Sequence, residues 1–219
     1  MEGHSAMIFV NGELRVLQAV KALLPDYDLW IAADGGLRHT YNLGIVPHVL
    51  IGDLDSVTTE QVTQQRRLGV EILQYPKEKD ETDLELALDL ALQRGCRRIL
   101  LVGALGGRLD HTLGNLFLLN RPELAGVDVR LCDGQEAVWL VGRHTLIDGD
   151  VGEQVSLIPF SDEVNGVRTA GMKYPLKSET IYRWSTRGIS NELLNQQAEV
   201  WTDAGTLLCI HSLNAKRSE

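Results

Sequence analysis

The sequence predicts an α/β protein: an N-terminal, largely parallel sheet with flanking helices, followed by a C-terminal antiparallel β-sandwich. Three observations lead there. Up to about Asp133, short apolar runs alternate with segments of helical period, the pattern of parallel strands joined by crossover helices. Beyond Gly134 the helical period stops, and short strand-like runs follow one another between turns containing Gly, Asp and Asn. Several N-terminal runs also end in Asp or Gly, the residue types expected where strands hand over to ligand-facing connections. The domain limits 1–134 and 135–219 rest on the change of period.

Met1–Ser5 shows no periodicity and is read as a terminus outside the fold. Met7–Val10 is the first apolar run, followed by a helical pattern at Leu14, Leu17, Val20, Leu23 and Leu24. Leu29–Ala33 is the second run and stops at Asp34-Gly35-Gly36. His48–Ile51 is the third, bounded by Pro47 and Gly52, and Ser56–Glu60 opens a polar helix reaching about Leu68. Val70–Leu73 is the fourth, after which Leu84–Leu92 consists largely of strong helix formers. Thr82 and Glu85 have the spacing of a capping box for that helix. Arg98–Val102 is the fifth run, a glycine-rich connection leads into a helix towards Leu119, and Val127–Leu131 is the sixth. Seven short runs follow, from Ala137–Val141 to Thr206–Ile210.

A chain of 219 residues, 44% hydrophobic and 23% charged, has the material for substantial cores. Its formal net charge is −9, and acids outnumber bases in both halves. That excludes the basic footprint a nucleic-acid surface needs. An acidic protein that binds phosphates needs a bridging cation. Cys96, Cys132 and Cys209 are far apart and in no metal-ligand spacing, so they read as reduced core residues. No membrane-length apolar run and no charged-then-apolar leader is evident, so the expected location is the cytoplasm, with no membrane partner.

The informative chemistry sits at the ends of the N-terminal runs. Gly52-Asp53-Leu54-Asp55-Ser56 places two carboxylates on a strand-to-helix connection, where Gly52 permits a close turn and Asp53 and Asp55 offer hard oxygens of the kind Mg²⁺ takes. A solvated turn is the alternative. Asp80, Glu81 and Asp83 either serve a ligand or complement the helix dipole. The connection Gly103–His111 lets a backbone approach a ligand, and Arg108 can grip phosphate. In a parallel sheet all these strand ends share one edge, so Asp34, Asp53, Asp55, Asp80, Asp83 and Asp110 are expected to converge. Such a cluster, with Lys77, Lys79 and Arg108 nearby, suits a magnesium polyphosphate. His111 is read first as a hydrogen-bonding or cap residue.

Taken together, six segments resemble the thiamine pyrophosphokinase family, in the family's order and across both predicted domains. They are Ala33–Gly36, Gly52–Ser56, Lys79–Glu85, Leu105–His111, Lys173–Lys177 and Ser185–Glu192. The resemblance implies an N-terminal ATP-binding catalytic domain, a C-terminal thiamine-binding and dimerisation domain, and a homodimer with active sites between subunits. It also implies transfer of the β,γ-diphosphate of ATP to the hydroxyl of thiamine, with release of AMP. By resemblance, Asp53, Asp55 and Asp83 surround Mg²⁺. Asp34, Gly35, Gly36, Ser56, Lys79, Asp80, Thr82, Arg108, Asp110 and His111 fall at the nucleotide, and Ser185, Thr186, Ser190 and Asn191 at thiamine. Asp55 or Asp83 is the expected proton acceptor. Trp184 either stacks on a thiamine ring or fills the sandwich core. Two other readings stand beside this one, a magnesium-dependent phosphate hydrolase and a non-catalytic nucleotide sensor.

Overall fold

The computed structural model describes residues 4–213. The chain divides after Gly134 into two compact units. In the first unit, β1 (His4–Phe9), β2 (Leu29–Ala33), β3 (Val49–Gly52), β4 (Glu71–Gln74), β5 (Cys96–Val102) and β6 (Asp128–Cys132) form parallel pairs in the order β6-β5-β1-β2-β3-β4. The connections are α1 (Leu17–Leu23), α2 (Leu37–Leu43), α3 (Thr59–Arg67), α4 (Asp83–Gln93) and α5 (Leu109–Leu118). β1 to β4 run one way across the sheet, while β5 lies on the other side of β1. The direction therefore reverses between β1 and β5, and a crevice opens there beyond the strand ends.

Local chemistry explains most of these boundaries. The expected helix from Leu14 is shorter in the structure: Leu14–Val16 precede α1, with the Arg15 and Val16 N–H groups donating to Asp133 O, and after Leu23 the chain continues through Pro25 as a 3-10 turn over Leu24–Asp26. His4 and Ser5, expected outside the fold, belong to β1: the Ser5 hydroxyl donates to Asp28 Oδ2 at 2.9 Å. Residues 1–3 of the same stretch lie outside the described residues. The polar helix begins at Thr59, where Thr58 and Gln61 form a capping box. The Thr82–Glu85 capping box is present as expected. Helix α2 has no counterpart among the expected elements. Its seven residues bury Leu37, His39, Thr40 and Leu43, and it ends on Gly44 at φ 71°.

α4 packs on β1, β2, β3 and β5 through its buried face, Leu84, Ala87, Leu88 and Ala91. The strands beneath it are apolar on both faces: Ala6 through Phe9 and Val49 through Ile51 are fully buried. Removing each large side chain from water contributes about 1.5–3 kcal/mol.

The second unit is antiparallel. β7 (Glu136–Val141), β14 (Leu207–Ser212), β9 (Gln154–Pro159) and β12 (Asn191–Glu192) pair in that order. β8 (His144–Asp148), β13 (Gln197–Trp201), β10 (Glu163–Ala170) and β11 (Lys177–Tyr182) form the other sheet. Alternate residues face one shared core, with Val155, Leu157, Val164, Val167, Ile181, Val200 and Leu207 buried in it. Among the described residues, no helix is long and apolar enough to cross a membrane.

Candidate active site

A cleft of about 870 Å³ opens over the strand ends of the first unit. Its floor is an acid triad. Asp34 follows β2, Asp53 follows β3, and Asp83 opens α4; each contributes a carboxylate oxygen, and the three oxygens lie within 4.8 Å of one another. Asp34 is buried and the other two are partly so. Gly52 allows the approach: it sits at φ 138°, and a Cβ there would stand 2.9 Å from the Asp83 carboxylate and 3.2 Å from Asp34 Cβ. The backbone itself is strained here, since Asp34 at φ 43° and Leu54 at φ 63° occupy the left-handed region without being glycine.

Lys79 Nζ reaches into the triad, 3.0 Å from Asp83 Oδ1 and 3.8 Å from Asp53 Oδ2. Burial pushes the Asp83 carboxyl above its usual range; Lys79 opposes this, and the neighbouring Asp53 and Asp34 charges add to it. Asp55, expected among the metal ligands, lies outside the triad. It is exposed and pairs with Lys77 at 2.6 Å, which holds its carboxyl below the usual range. Asp34 takes the third place instead, its Oδ1 accepting from the Ser56 backbone N–H at 3.2 Å.

The remaining nucleotide candidates divide. Ser56, Thr82, Arg108, Asp110 and His111 line the cleft together with Asp55 and Lys79. Thr82 spends its hydroxyl on the α4 cap, with Glu85 as partner. Arg108 and Asp110 pair with each other at 2.6 Å, and that contact lowers the Asp110 pKa. Asp80 departs from the expected convergence, being exposed and off the cleft wall. Gly35 and Gly36 also stand behind the wall, where they let the 3-10 turn over Asp34–Gly36 pack: a Cβ on Gly36 would meet Phe9 O at 2.0 Å. The six expected acids thus form one triad, two separate ion pairs and one outlier.

Some cleft residues were not among the sequence candidates. Asn11 and Gly12, at the end of β1, line the cleft beside the Gly103–Gly107 connection. The two segments are joined by Gly12 N–H to Gly103 O at 2.7 Å and Glu13 N–H to Leu105 O at 2.9 Å. Asn-Gly directly after an apolar run was the available signal. Asn115 was equally unmarked; its amide holds Ala104 O at 2.8 Å.

In the second unit the candidates lie on the loop between β11 and β12. Trp184 is 78% exposed and stacks on Tyr182, with centroids 5.0 Å apart. The core alternative for Trp184 is therefore wrong: β11 ends at Tyr182, and the next residues leave the sandwich. Ser185 and Thr186 follow in the loop, where Ser185 Oγ accepts from Arg187 N and Thr186 O accepts from Ile189 N. Ser190 is exposed at φ 58°. Asn191 is buried, and its amide braces the Lys173–Lys177 segment by accepting from Tyr174 N at 2.9 Å and donating to Tyr174 O at 2.8 Å.

Comparison with known proteins decides the family. A model of the thiamin pyrophosphokinase catalytic domain matches residues 20–131, and one of the thiamin pyrophosphokinase vitamin B1 binding domain matches residues 143–207. This chain belongs to the thiamine pyrophosphokinase family. The family's proteins are ATP:thiamine diphosphotransferases. A thiamine pyrophosphokinase of Bacillus subtilis (strain 168) is 32% identical over 207 residues, spanning 94% of this chain and 97% of that relative. Among solved structures, the thiamine pyrophosphokinase of B. subtilis aligns with TM-score 0.83 at 32% identity, covering 96% of this chain and 99% of that one. The Geobacillus thermodenitrificans thiamin pyrophosphokinase gives 0.81 at 31% identity, covering 97% and 99%. Within this thiamine pyrophosphokinase family member, the cleft falls in the segment matched by the catalytic domain and its β1 rim. The Trp184–Asn191 loop falls in the vitamin B1 binding segment.

Proposed function

We propose that the chain transfers the β,γ-diphosphate of ATP to the hydroxyl of thiamine, giving thiamine diphosphate and AMP. The observation that carries this reading is the acid triad under a glycine-rich nucleotide-sized cleft, in a chain that matches both domains of the family. Residues 1–134 would be the ATP-binding catalytic domain, and residues 135–219 the thiamine-binding and dimerisation domain. The triad suits a hard divalent cation, since it offers three carboxylate oxygens from separate connections within 4.8 Å of one another. Asp34, Asp53 and Asp83 would hold Mg²⁺, which supplies charge neutralisation for the polyphosphate when bound.

The reaction forms a bond from the thiamine oxygen to Pβ and breaks the bond from Pβ to the bridging oxygen that leaves with AMP. Such transfer depends on position and electrostatics more than on covalent help. Lys79 and Arg108 would take up negative charge as the bridging bond breaks, and the Gly103–Gly107 backbone would lie along the polyphosphate. With the triad committed to the cation, Asp55 on the cleft wall would accept the hydroxyl proton. Trp184, Ser185, Thr186 and Ser190 would contact thiamine, while Asn191 would act by holding the adjoining Tyr174 segment.

The test is incubation of purified protein with ATP, Mg²⁺ and thiamine, with and without a chelator. Thiamine-dependent AMP that disappears with chelation and returns with Mg²⁺ is the expected result. ADP or free phosphate formed without thiamine would point to a hydrolase and overturn the reading. The three described cysteines are free and buried, which suits the cytoplasm as the proposed location. Exposed Leu109, Leu113 and Phe117 on α5 support the proposed homodimer.

A further inference from the structure

We infer that the ion pair between Arg187 and Glu179 is a positioning strut, which holds the 184–190 loop in the shape that receives thiamine while neither side chain touches that substrate. The inference rests on the functional reading above. The loop leaves β11 in one sheet and enters β12 in the other. Its second half is tied to β9: Leu157 N–H donates to Gly188 O at 2.9 Å, and Ser190 N–H donates to Ser156 Oγ at 3.1 Å. These ties demand an unusual backbone, with Gly188 at φ 104° and Ser190 at φ 58°. A Cβ on Gly188 would sit 2.6 Å from Leu157 O, so that half has little freedom to shift.

The first half has thinner support. Ser185 N–H bonds to Tyr182 O, and Trp184 rests on the Tyr182 ring. Arg187, in mid-loop, reaches back to β11 with a two-pronged contact: Nε to Glu179 Oε2 and an Nη to Oε1, each 2.9 Å. Its backbone N–H meanwhile binds Ser185 Oγ. The guanidinium ties the loop to β11, and the backbone N–H of the same residue holds Ser185, beside Trp184. Both side chains are partly exposed, where an ion pair contributes little to folding. What it supplies is order in a segment that would otherwise have to be ordered by the ligand.

The experiment is steady-state kinetics with thiamine and ATP varied separately for the parent chain and for Arg187→Ala, Glu179→Ala, the double alanine variant and the exchange Arg187→Glu/Glu179→Arg. Each single variant is expected to raise the thiamine KM on the order of tenfold, leaving the ATP KM, kcat and Tm near the parent values. The double alanine variant should be no worse than either single one, and the exchange should recover part of the loss. A defect in Arg187→Ala without one in Glu179→Ala would overturn the inference, because Arg187 would then act on the substrate itself. Additive losses, a fall in Tm accompanied by loss of both substrates, or unchanged kinetics in an active parent would overturn it as well. A parent chain that makes no thiamine diphosphate would overturn the functional reading, and this inference with it.

Discussion

Gly52 and Asp83 show how tightly the site depends on single atoms. A methyl group at position 52 meets both a φ of 138° and the Asp83 carboxylate, so Gly52→Ala should lower kcat by orders of magnitude, and Asp53→Asn or Asp83→Asn should do the same with the fold retained by circular dichroism. Near-normal turnover in the two Asn variants would defeat the triad as a cation site. Asp55→Asn should cost roughly 10²–10⁴-fold in kcat if Asp55 accepts the proton, and a loss of only a few-fold would reassign that step. His39 gives a separate test of the cleft's support. It is buried under the β1 rim with Nε2 3.0 Å from Gly12 O, and burial lowers its pKa against the raising effect of that hydrogen bond. The unfolded chain therefore takes up the His39 proton first. The stability due to neutral His39 is complete above about pH 6.5 and is lost as the pH falls from there through the lowered folded value. Thermal melts from pH 7.5 to 5 should show a steeper fall for the parent chain than for His39→Gln; parallel curves would remove His39 from that role.

At the scale of elements, the caps separate stability from function. α3 and α4 begin with the same capping box, Thr58 with Gln61 and Thr82 with Glu85. Replacing either threonine with alanine should cost about 0.5–2 kcal/mol, measurable as a drop in Tm. Only Thr82→Ala should also reduce turnover, because Asp83 is the first residue of the helix that it caps and Thr58 does not line the cleft. Equal effects on activity would show that the first turn of α4 does not hold Asp83 in place. The α4 box was legible in the sequence because capping is a matter of four adjacent residues. α2 was not: it makes only two turns, follows a Gly-Gly pair, and uses Thr40 and His39 as buried residues, so no apolar stripe announces it.

For the whole molecule, α5 is the element that bears on assembly. None of its residues is buried, and Leu109, Leu113 and Phe117 repeat every four residues along one exposed face. If that face is a subunit contact, light scattering of the parent chain should give twice the chain mass, and Leu113→Glu should shift it to one. A monomeric parent chain would end the dimer proposal. The sequence by itself determined the fold class, the succession of strands along the chain and the placement of acids at strand ends, because hydrophobic period, glycine and caps act between near neighbours in the chain. Only the tertiary structure decided which acids share a site. Asp34 joins Asp53 and Asp83 because β2 and β3 lie side by side and Gly52 leaves room, whereas Asp55, two residues from Asp53, is drawn off by Lys77. Trp184 is on the surface for the same kind of reason: whether an aromatic side chain enters a core depends on where its strand ends and what packs opposite, and those are set by sheet order and side-chain packing between segments far apart in the chain.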